Sequence, residues 1–215
     1  MPQKNAVQKG APGRPRRNGS KSKNQRAEIL EAAVRLFKEK GFAETSMSAI
    51  ARESGLGQSS LYYWFKSKED ILRELLATNR NPLNAAKEAE AAGKDVAGQL
   101  RALLYQDTLA LCQLPFDYRL LETVARKGGA EFAEFFDDYR ALVAKVEELI
   151  RRGVDEGLFE CPDPAAYAVT IVAADEGVQH RFHNQAWMPN QVKLGASVEA
   201  LAAATADLSV RGLLK

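Results

Sequence analysis

Residues 45–70 constrain the fold of this chain more than any other part of the sequence. Hydroxyl side chains at the start of this segment can cap a first helix, and Gly55 can take the left-handed conformation that ends it. A second helix then runs from about Gln58 to Trp64 or Phe65. Two short helices joined by a tight turn form a helix-turn-helix, so we expect that motif here.

The outward face of the second helix has side chains that suit a DNA groove. At about 100° per residue, Leu61 and Phe65 face the core together. Glutamine can bond adenine through two atoms, serine can bond base edges, and tyrosine hydroxyls can reach phosphates. A solvated face would normally carry Lys and Glu, so DNA binding is favoured over an ordinary helix hairpin. The outward residues are Gln58, Ser59, Ser60, Tyr62 and Tyr63.

The next helix begins with a pattern that can bind phosphate. Ser67 and Asp70 have the spacing of a capping box. Lys68 lies in the first turn, where a cation opposes the helix dipole unless an anion is also bound there. We therefore expect Lys68 to contact a DNA phosphate; the alternative is a lysine that extends freely into solvent.

The segment GFAETSMSAIARESGLGQSSLYYWFKSKEDIL resembles the amino-terminal domain of the tetracycline-repressor (TetR) family of bacterial transcription regulators, and the resemblance covers residues 25–76. It implies that residues 58–63 form the recognition helix and its start. It also implies that Ser48 faces DNA from the preceding helix and that Tyr63 and Lys68 contact phosphates. Trp64 replaces a histidine that is frequent in the family, and the helical wheel turns it partly inward, so we leave it out of the contact set.

Positive charge is concentrated at the amino-terminal end of the chain. The net charge is +2, yet residues 1–27 contain eight basic residues and no acidic one, which leaves 22 basic against 28 acidic residues in the remainder. Prolines, glycines and the lack of apolar periodicity predict a disordered basic arm over residues 1–22. Two interpretations of this arm are equally consistent with the sequence: insertion into the minor groove of DNA, and a tail that only improves solubility or non-specific binding. The candidate minor-groove residues, in a segment resembling AT-hooks, are Arg14, Arg16 and Arg17.

The rest of the chain has helical periodicity and no strand-like alternation, which predicts an all-α protein of about nine helices. A helix-turn-helix DNA-binding domain is expected over residues 23–67, and a helical effector-binding and dimerisation domain over residues 68–215. The helix that begins at residue 68 is expected to stop at Asn81 and Pro82, and a polar, alanine-rich stretch follows to about residue 95. Beside the helix-turn-helix pair, the expected helices are residues 23–40, 68–80, 96–114, 118–127, 130–153, 163–185 and 197–214.

The last two long helices are rich in alanine, whose small side chain allows close helix packing. The resemblance implies that they form a four-helix interface between two copies, although alanine also suits plain helix surfaces. One short recognition helix reads few bases, whereas two heads about 34 Å apart read a palindrome. We therefore expect a homodimer on a palindromic DNA operator.

Aromatic and polar residues of the middle helices define a search region for a small-molecule effector. A family member would enclose a mostly apolar cavity here, while core packing is the competing explanation for each aromatic residue. Glu176, His180 and His183 share one helical face, but no further donor completes a metal site, so we interpret them as polar groups of the pocket or as a solvated face. The candidate effector contacts are Tyr105, Cys112, Phe116, Tyr118, Phe132, Phe136, Tyr139, Gln179, Phe182 and His183.

Two classes of function remain open: a repressor that a small, mostly apolar effector releases from its operator, and an architectural DNA-binding dimer without an effector. No phosphate loop, nucleophile motif or paired-carboxylate site indicates an enzyme, and no cofactor or metal is predicted. No apolar run approaches the roughly 18 residues of a membrane span, and no signal peptide is evident. Two distant cysteines, Cys112 and Cys161, fit a reducing cytoplasm.

Overall fold

A computed structural model of the protein describes residues 19–184 and 197–215, and these form ten α-helices. Short 3₁₀ turns, Ala77–Asn79 and Gly129–Phe132, connect α4 to α5 and α7 to α8. Within the described residues there is no β-strand beyond one bridge between Phe159 and Leu214, which confirms the all-α prediction. The helices are α1 Gly19–Lys40, α2 Met47–Glu53, α3 Gln58–Trp64, α4 Lys68–Leu76, α5 Arg80–Ala91, α6 Val96–Gln113, α7 Tyr118–Gly128, α8 Ala133–Asp155, α9 Pro164–His183 and α10 Val198–Arg211.

The helices differ from the sequence prediction at the amino-terminal end and between α4 and α6. Helix α1 begins at Gly19 rather than near residue 23, α4 ends at Leu76 rather than near residue 80, and α5 occupies the polar, alanine-rich stretch for which no helix was predicted. Pro82 was expected to stop a helix, but it lies in the first turn of α5, where a missing N–H breaks no helical hydrogen bond. The following alanine, lysine and glutamate residues favour helix. The predicted arm, apart from residues 19–22, lies outside the described residues.

The first four helices form a small head whose core extends into α7. Leu61 and Phe65 of the α3 region are buried together with Phe37 of α1 and Ile50 of α2. The same hydrophobic cluster continues into α7 and the turn behind it, where Phe132 is fully buried. Head and body are therefore joined by apolar packing as well as by the chain itself.

The remaining helices form a second core in the body. Helix α6 lies at its centre and packs against α5, α8, α9 and α10. The carboxyl-terminal segment closes this core, because Glu160 N–H donates to the carbonyl of Leu213 at 2.8 Å. None of the helices in the described ranges is long and apolar enough to cross a membrane.

The end of α8 depends on a close approach between a glycine and an aromatic ring. Gly157 has a φ of +74° and turns the chain, and the carbonyl of Gly153 accepts from the N–H groups of Leu158 and Phe159 at 2.8 and 2.9 Å. The turn places the Phe159 ring directly on Gly153, so that a Cβ there would lie 2.1 Å from a ring carbon. Phe159 is only 1% exposed and has no space to withdraw.

Gly153→Ala should destabilise the protein by roughly 1–3 kcal/mol, because overpacking against Phe159 exceeds the gain in helix propensity. Urea unfolding followed by circular dichroism measures the change. The double variant Gly153→Ala with Phe159→Leu should be less destabilised than the sum of the two single variants, since leucine makes room for the new methyl group. Additive losses would show that the contact is not limiting.

Candidate DNA interface and effector pocket

The helix-turn-helix is built as the sequence predicts. Ser46 caps α2, its Oγ accepting from Ala49 N–H at 3.2 Å, whereas Thr45 is buried and donates to the carbonyl of Gly41. Gly55 has a φ of +67° and ends the helix. The N–H of Leu56 then bonds back to α2 at 2.9 Å, which fixes the direction in which α3 leaves the turn.

Helix α3 turns Leu61 and Trp64 toward the head core and presents its other side chains outward. Leu61 is fully buried, while Tyr62 and Tyr63 are 51% and 76% exposed. Gln58 and Ser59 are also exposed, and Ser60 is half-buried. Large tyrosine side chains left in solvent are unusual for a monomer's surface, so this face is available for a partner.

Two of the predicted DNA contacts bond each other. Gln58 Nε2 donates to Ser48 Oγ at 2.7 Å, across the turn between α3 and α2. This bond uses one amide hydrogen and leaves the second hydrogen and Oε1 free, which are the atoms that a bidentate contact to adenine requires. Ser48 therefore orients the Gln58 amide in addition to any contact of its own.

Lys68 does not extend freely into solvent. Its Nζ donates to the carbonyl oxygens of Phe42 and Ala43 at 2.7 and 2.8 Å, and lies 4.6 Å from the centre of the Phe42 ring. An ammonium group has three N–H donors, so one is left for a phosphate. Lys68 thus also fixes the α1–α2 turn against α4, a role that the sequence pattern did not indicate.

An open groove of about 550 Å³ crosses the starts of α2 and α4. It brings together Ser48, Tyr62 and Lys68 and adds the exposed Lys66, which the sequence analysis missed. Free amides of a first helical turn and nearby lysines attract phosphate. The position of Lys66 between the recognition helix and α4 was the available signal that it lies near the predicted phosphate contacts. Predicted contacts outside the described residues are Arg14, Arg16 and Arg17.

Trp64 packs inward. It is half-buried against the head core, and its ring meets that of Tyr63 edge-on with centroids 5.2 Å apart. Its Nε1 is buried and has no hydrogen-bond partner among the described residues. The indole therefore supports Tyr63 from below instead of adding a contact to the outer face.

The body contains a cavity of about 260 Å³ between α7, α8 and α9. Tyr118, Phe136 and Tyr139, which line it, are predicted effector contacts. Glu176 also lines it and was considered as a polar group of the pocket. The residues that were missed are Glu122, Arg126 and Phe135, although Glu122 and Arg126 follow Tyr118 at four-residue spacing on one face of α7.

The other predicted effector contacts lie outside the lining of this cavity. Cys112, Phe116 and Phe132 are buried in the hydrophobic cores. Gln179 is fully buried, donates to the carbonyl of Phe116 at 2.9 Å and accepts from Tyr118 N–H at 3.1 Å, so it ties α9 to the start of α7. Half-buried positions are taken by Tyr105, Phe182 and His183.

Two aspartates missed by the sequence analysis are buried in the body. Asp107 of α6 and Asp175 of α9 are 2% and 0% exposed. Asp107 Oδ2 and both oxygens of Asp175 lack a hydrogen-bond partner within the described part of the chain. Burial raises the pKa of Asp107 to about 7 and raises that of Asp175 well above its usual range, with a further contribution from Asp107. Asp107 lies four residues from both Leu103 and Leu111, and this spacing on one helical face was the available signal that it is buried.

His180 belongs to a surface ion-pair network. Its Nδ1 lies 2.7 Å from Asp117 Oδ2, and Arg119 pairs with the same carboxylate at 3.0 Å. Partial burial acts to raise the pKa of Asp117, but bonds from Arg119 and His180 outweigh it and hold that pKa well below its usual range. In residues 19–184 and 197–215 no three His, Cys, Asp or Glu side chains are arranged to hold a metal, which includes the face of Glu176, His180 and His183.

Comparison with known proteins identifies both parts of the chain. The family model described as bacterial regulatory proteins of the tetR family matches residues 29–75. A model of a tetracyclin repressor-like C-terminal domain matches residues 113–198. The head and the body therefore match an amino-terminal and a carboxyl-terminal domain of the same kind of regulator.

Individual relatives extend over most of the chain. It is similar to the uncharacterized HTH-type transcriptional regulator YfiR of Bacillus subtilis, with 31% identity over 68% of this chain and 73% of the relative. Similarity to the HTH-type transcriptional regulator TtgR of Pseudomonas putida is 27% over 86% of this chain and 90% of the relative. The crystal structure of Mycobacterium smegmatis AmtR matches with a TM-score of 0.59 and 28% identity, over 94% of this chain and 88% of that one.

Asp107→Asn should stabilise the protein at neutral pH by roughly 1–3 kcal/mol, because it removes an ionisable group whose charged form is destabilised by burial. The folded protein holds protons on these aspartates that the unfolded chain releases near pH 4. As the pH rises from about 4 to 7, the free energy of unfolding of the wild type should therefore fall relative to that of the variant. Above about pH 7 the difference between the two free energies should stay constant.

Urea unfolding from pH 4.5 to 8 checks this dependence. Asp137→Asn, which removes an exposed carboxylate of α8, is the control and should leave the pH profile of stability unchanged. A gap between Asp107→Asn and the wild type that does not change with pH would contradict the expectation.

Proposed function

Because the chain belongs to the TetR family of bacterial transcription regulators, we propose that it is a repressor that binds a palindromic operator as a homodimer. A small, mostly apolar effector that enters the body releases it from DNA. Regulatory DNA binding, rather than catalysis, is the activity of this family.

The observation that carries the proposal is that the body cavity and the head share one hydrophobic core. Tyr118 and Phe135 line the cavity and belong to the same buried cluster as Phe42 and Leu61 of the head. Phe132, which follows α7, meets Phe42 edge-on with ring centroids 6.0 Å apart. A molecule in the cavity therefore presses on side chains that are continuous with the DNA-binding unit.

The effector acts through a difference in its affinity for two arrangements of the dimer. Displacing α7 carries α1, which packs against it, and with it the helix-turn-helix. Two recognition helices enter successive major grooves only when they lie about 34 Å apart. An effector that stabilises another spacing lowers the affinity for the operator.

Dimerisation is assigned to α9 and α10. Val169 and Leu208 are 54% and 75% exposed, and Tyr167 is 39% exposed. These helices line a shared shallow groove that includes Tyr167, Ile171 and Leu208. Large apolar side chains left in solvent on adjacent helices mark an association surface, and a two-fold axis pairs this surface with its own copy.

In the DNA complex we assign base contacts to Gln58, oriented by Ser48, and to Ser59 and Ser60. Phosphate contacts fall to Tyr62, Tyr63 and the free donor of Lys68. The arm over residues 1–22 adds Arg14, Arg16 and Arg17 on the minor groove.

An effector should lower operator affinity at least tenfold and raise the melting temperature of the free protein, since it binds one folded arrangement preferentially. Fluorescence anisotropy with DNA selected from a random pool, alongside thermal unfolding, tests a broad library. Phe136→Ala in the cavity wall should retain DNA affinity and lose the response. If no compound changes either quantity, the architectural reading replaces the effector-responsive one.

Gln58→Ala should relax discrimination at one base pair by about 1–3 kcal/mol, because it removes a bidentate contact. Ser48→Ala should relax the same base pair, and the double variant should lose less than the sum, since both act through one amide. Binding to a full set of single-base operator variants measures both. Gln113→Ala, the same change at an exposed site of α6, is the control.

Tyr63→Ala should weaken binding to all sequences alike without altering stability, because its side chain is exposed. Lys68→Ala should weaken binding alike and also lower the melting temperature, since it frees the α1–α2 turn. If all these variants, including Gln58→Ala, bind DNA as the wild type does, the interface is wrongly placed.

A further inference from the structure

We propose that the cavity between α7, α8 and α9 binds an organic cation, a molecule with an aromatic or compact apolar body and a quaternary or protonated nitrogen. This inference rests on the proposed effector response and names the chemical class of effector that the cavity takes. The cavity is lined by aromatic rings and by an acidic side chain that forms no ion pair with a described basic side chain.

Aromatic rings form most of the cavity wall. Tyr118 and Phe135 have ring centroids 5.8 Å apart, and Phe135 meets Phe136 edge-on at 5.2 Å. Tyr139 completes this wall from the next turn of α8. Several ring faces and edges around one small space suit a flat apolar body, and aromatic faces also attract a positive charge.

The charges that line the cavity do not cancel. Glu122 is paired with Arg126 at 2.5 Å, so these two side chains neutralise each other. Glu176 lines the cavity as well and forms no ion pair with any basic side chain in the described part of the chain. His180, one turn further along α9, is bonded to Asp117 instead. One carboxylate of the cavity wall is therefore left without a counter-charge.

A second layer of carboxylates lies behind the wall. Asp107 and Asp175 are fully buried, and three of their four oxygens have no hydrogen-bond partner among the described residues. Neither forms an ion pair with a described Lys or Arg. Burial raises the pKa of both groups and favours their protonated form, whereas a cation bound nearby stabilises the ionised form.

The Glu176 carboxylate acts on its neighbour Tyr139 in the cavity wall. Burial raises the pKa of Tyr139 to about 12, and the nearby carboxylates, Glu176 first among them, add to the rise. A carboxylate beside the cavity that has no cationic partner among the described residues attracts a ligand cation and opposes an anion.

The volume limits the size of the apolar body. At about 260 Å³ the cavity lies just below the roughly 300–1,000 Å³ of most small-molecule sites. A single ring or two fused rings with a small cationic group fit this space, whereas a long acyl chain does not.

Two sets of probes with the same shape and different charge test the proposal. The first set is benzyltrimethylammonium and its neutral carbon isostere neopentylbenzene. The second is N-methylquinolinium, 1-methylnaphthalene and the anion 1-naphthoate. Calorimetric titration of the full-length protein and release of bound DNA are measured for each compound. In both sets the cation should bind at least tenfold more tightly than its neutral or anionic counterpart.

Two variants connect this preference to the cavity. Glu176→Gln should weaken binding of the cations about tenfold or more and leave the neutral probes unchanged. Arg126→Gln removes the one basic side chain that the described residues contribute to the cavity wall and should strengthen cation binding several-fold. Glu147→Gln, on the distant half of α8, is the control and should have no effect. Melting curves in the absence of probes establish that all three variants fold.

The outcomes separate this inference from the proposed function. Equal or tighter binding of the neutral or anionic probes, together with release of DNA, would overturn the cationic class and leave the effector-responsive repressor intact. Binding of no probe in either set would also overturn the cationic class, while the wider library decides whether any effector acts. A cation preference that Glu176→Gln leaves unchanged would place the site elsewhere and overturn the proposal.

Discussion

The contact between the rings of Phe42 and Phe132 joins the head to the body, and the packing of the two units against each other depends on it. Phe42 closes α1 and packs on Phe37, while Phe132 closes α7, so the rings connect the ends of two helices from different parts of the chain. Through this contact the head core continues into α7 and the cavity wall. A chain whose two units shared only the α4 backbone would have no such mechanical continuity.

The body combines this continuity with two buried acidic groups that form no ion pair with a described basic side chain. Asp107 and Asp175 lie on helices that pack against each other at the centre of the second core. Apolar residues at these positions would give a more stable core. These two aspartates lower the stability of the body close to the aromatic cavity. Residues that lower stability in this way are expected at functional sites.

The sequence predicted the head well because its signals are local. Ser46, Gly55 and the box of Ser67 and Asp70 each act within a few residues, and the structure places all of them as expected. Helix α5 was missed because Pro82 was taken for a stop, although its position in a first turn makes it harmless. The cavity was only partly predicted, since the burial of Asp107 depends on which helices surround α6, and a single helical pattern does not contain that information.

The same limit applies to the links between parts of the head. The bonds from Lys68 to the carbonyls of Phe42 and Ala43 join residues that are far apart in the sequence, and no spacing rule predicts them. Together with the ion pair between Arg26 and Glu74, they lock α1, the α1–α2 turn and α4 into one body. The head therefore turns as a unit, and its base-reading surface keeps its shape while it turns. In the repressor that we propose, a signal from the body changes the fraction of operators that is occupied, while the base sequence that the head recognises stays the same.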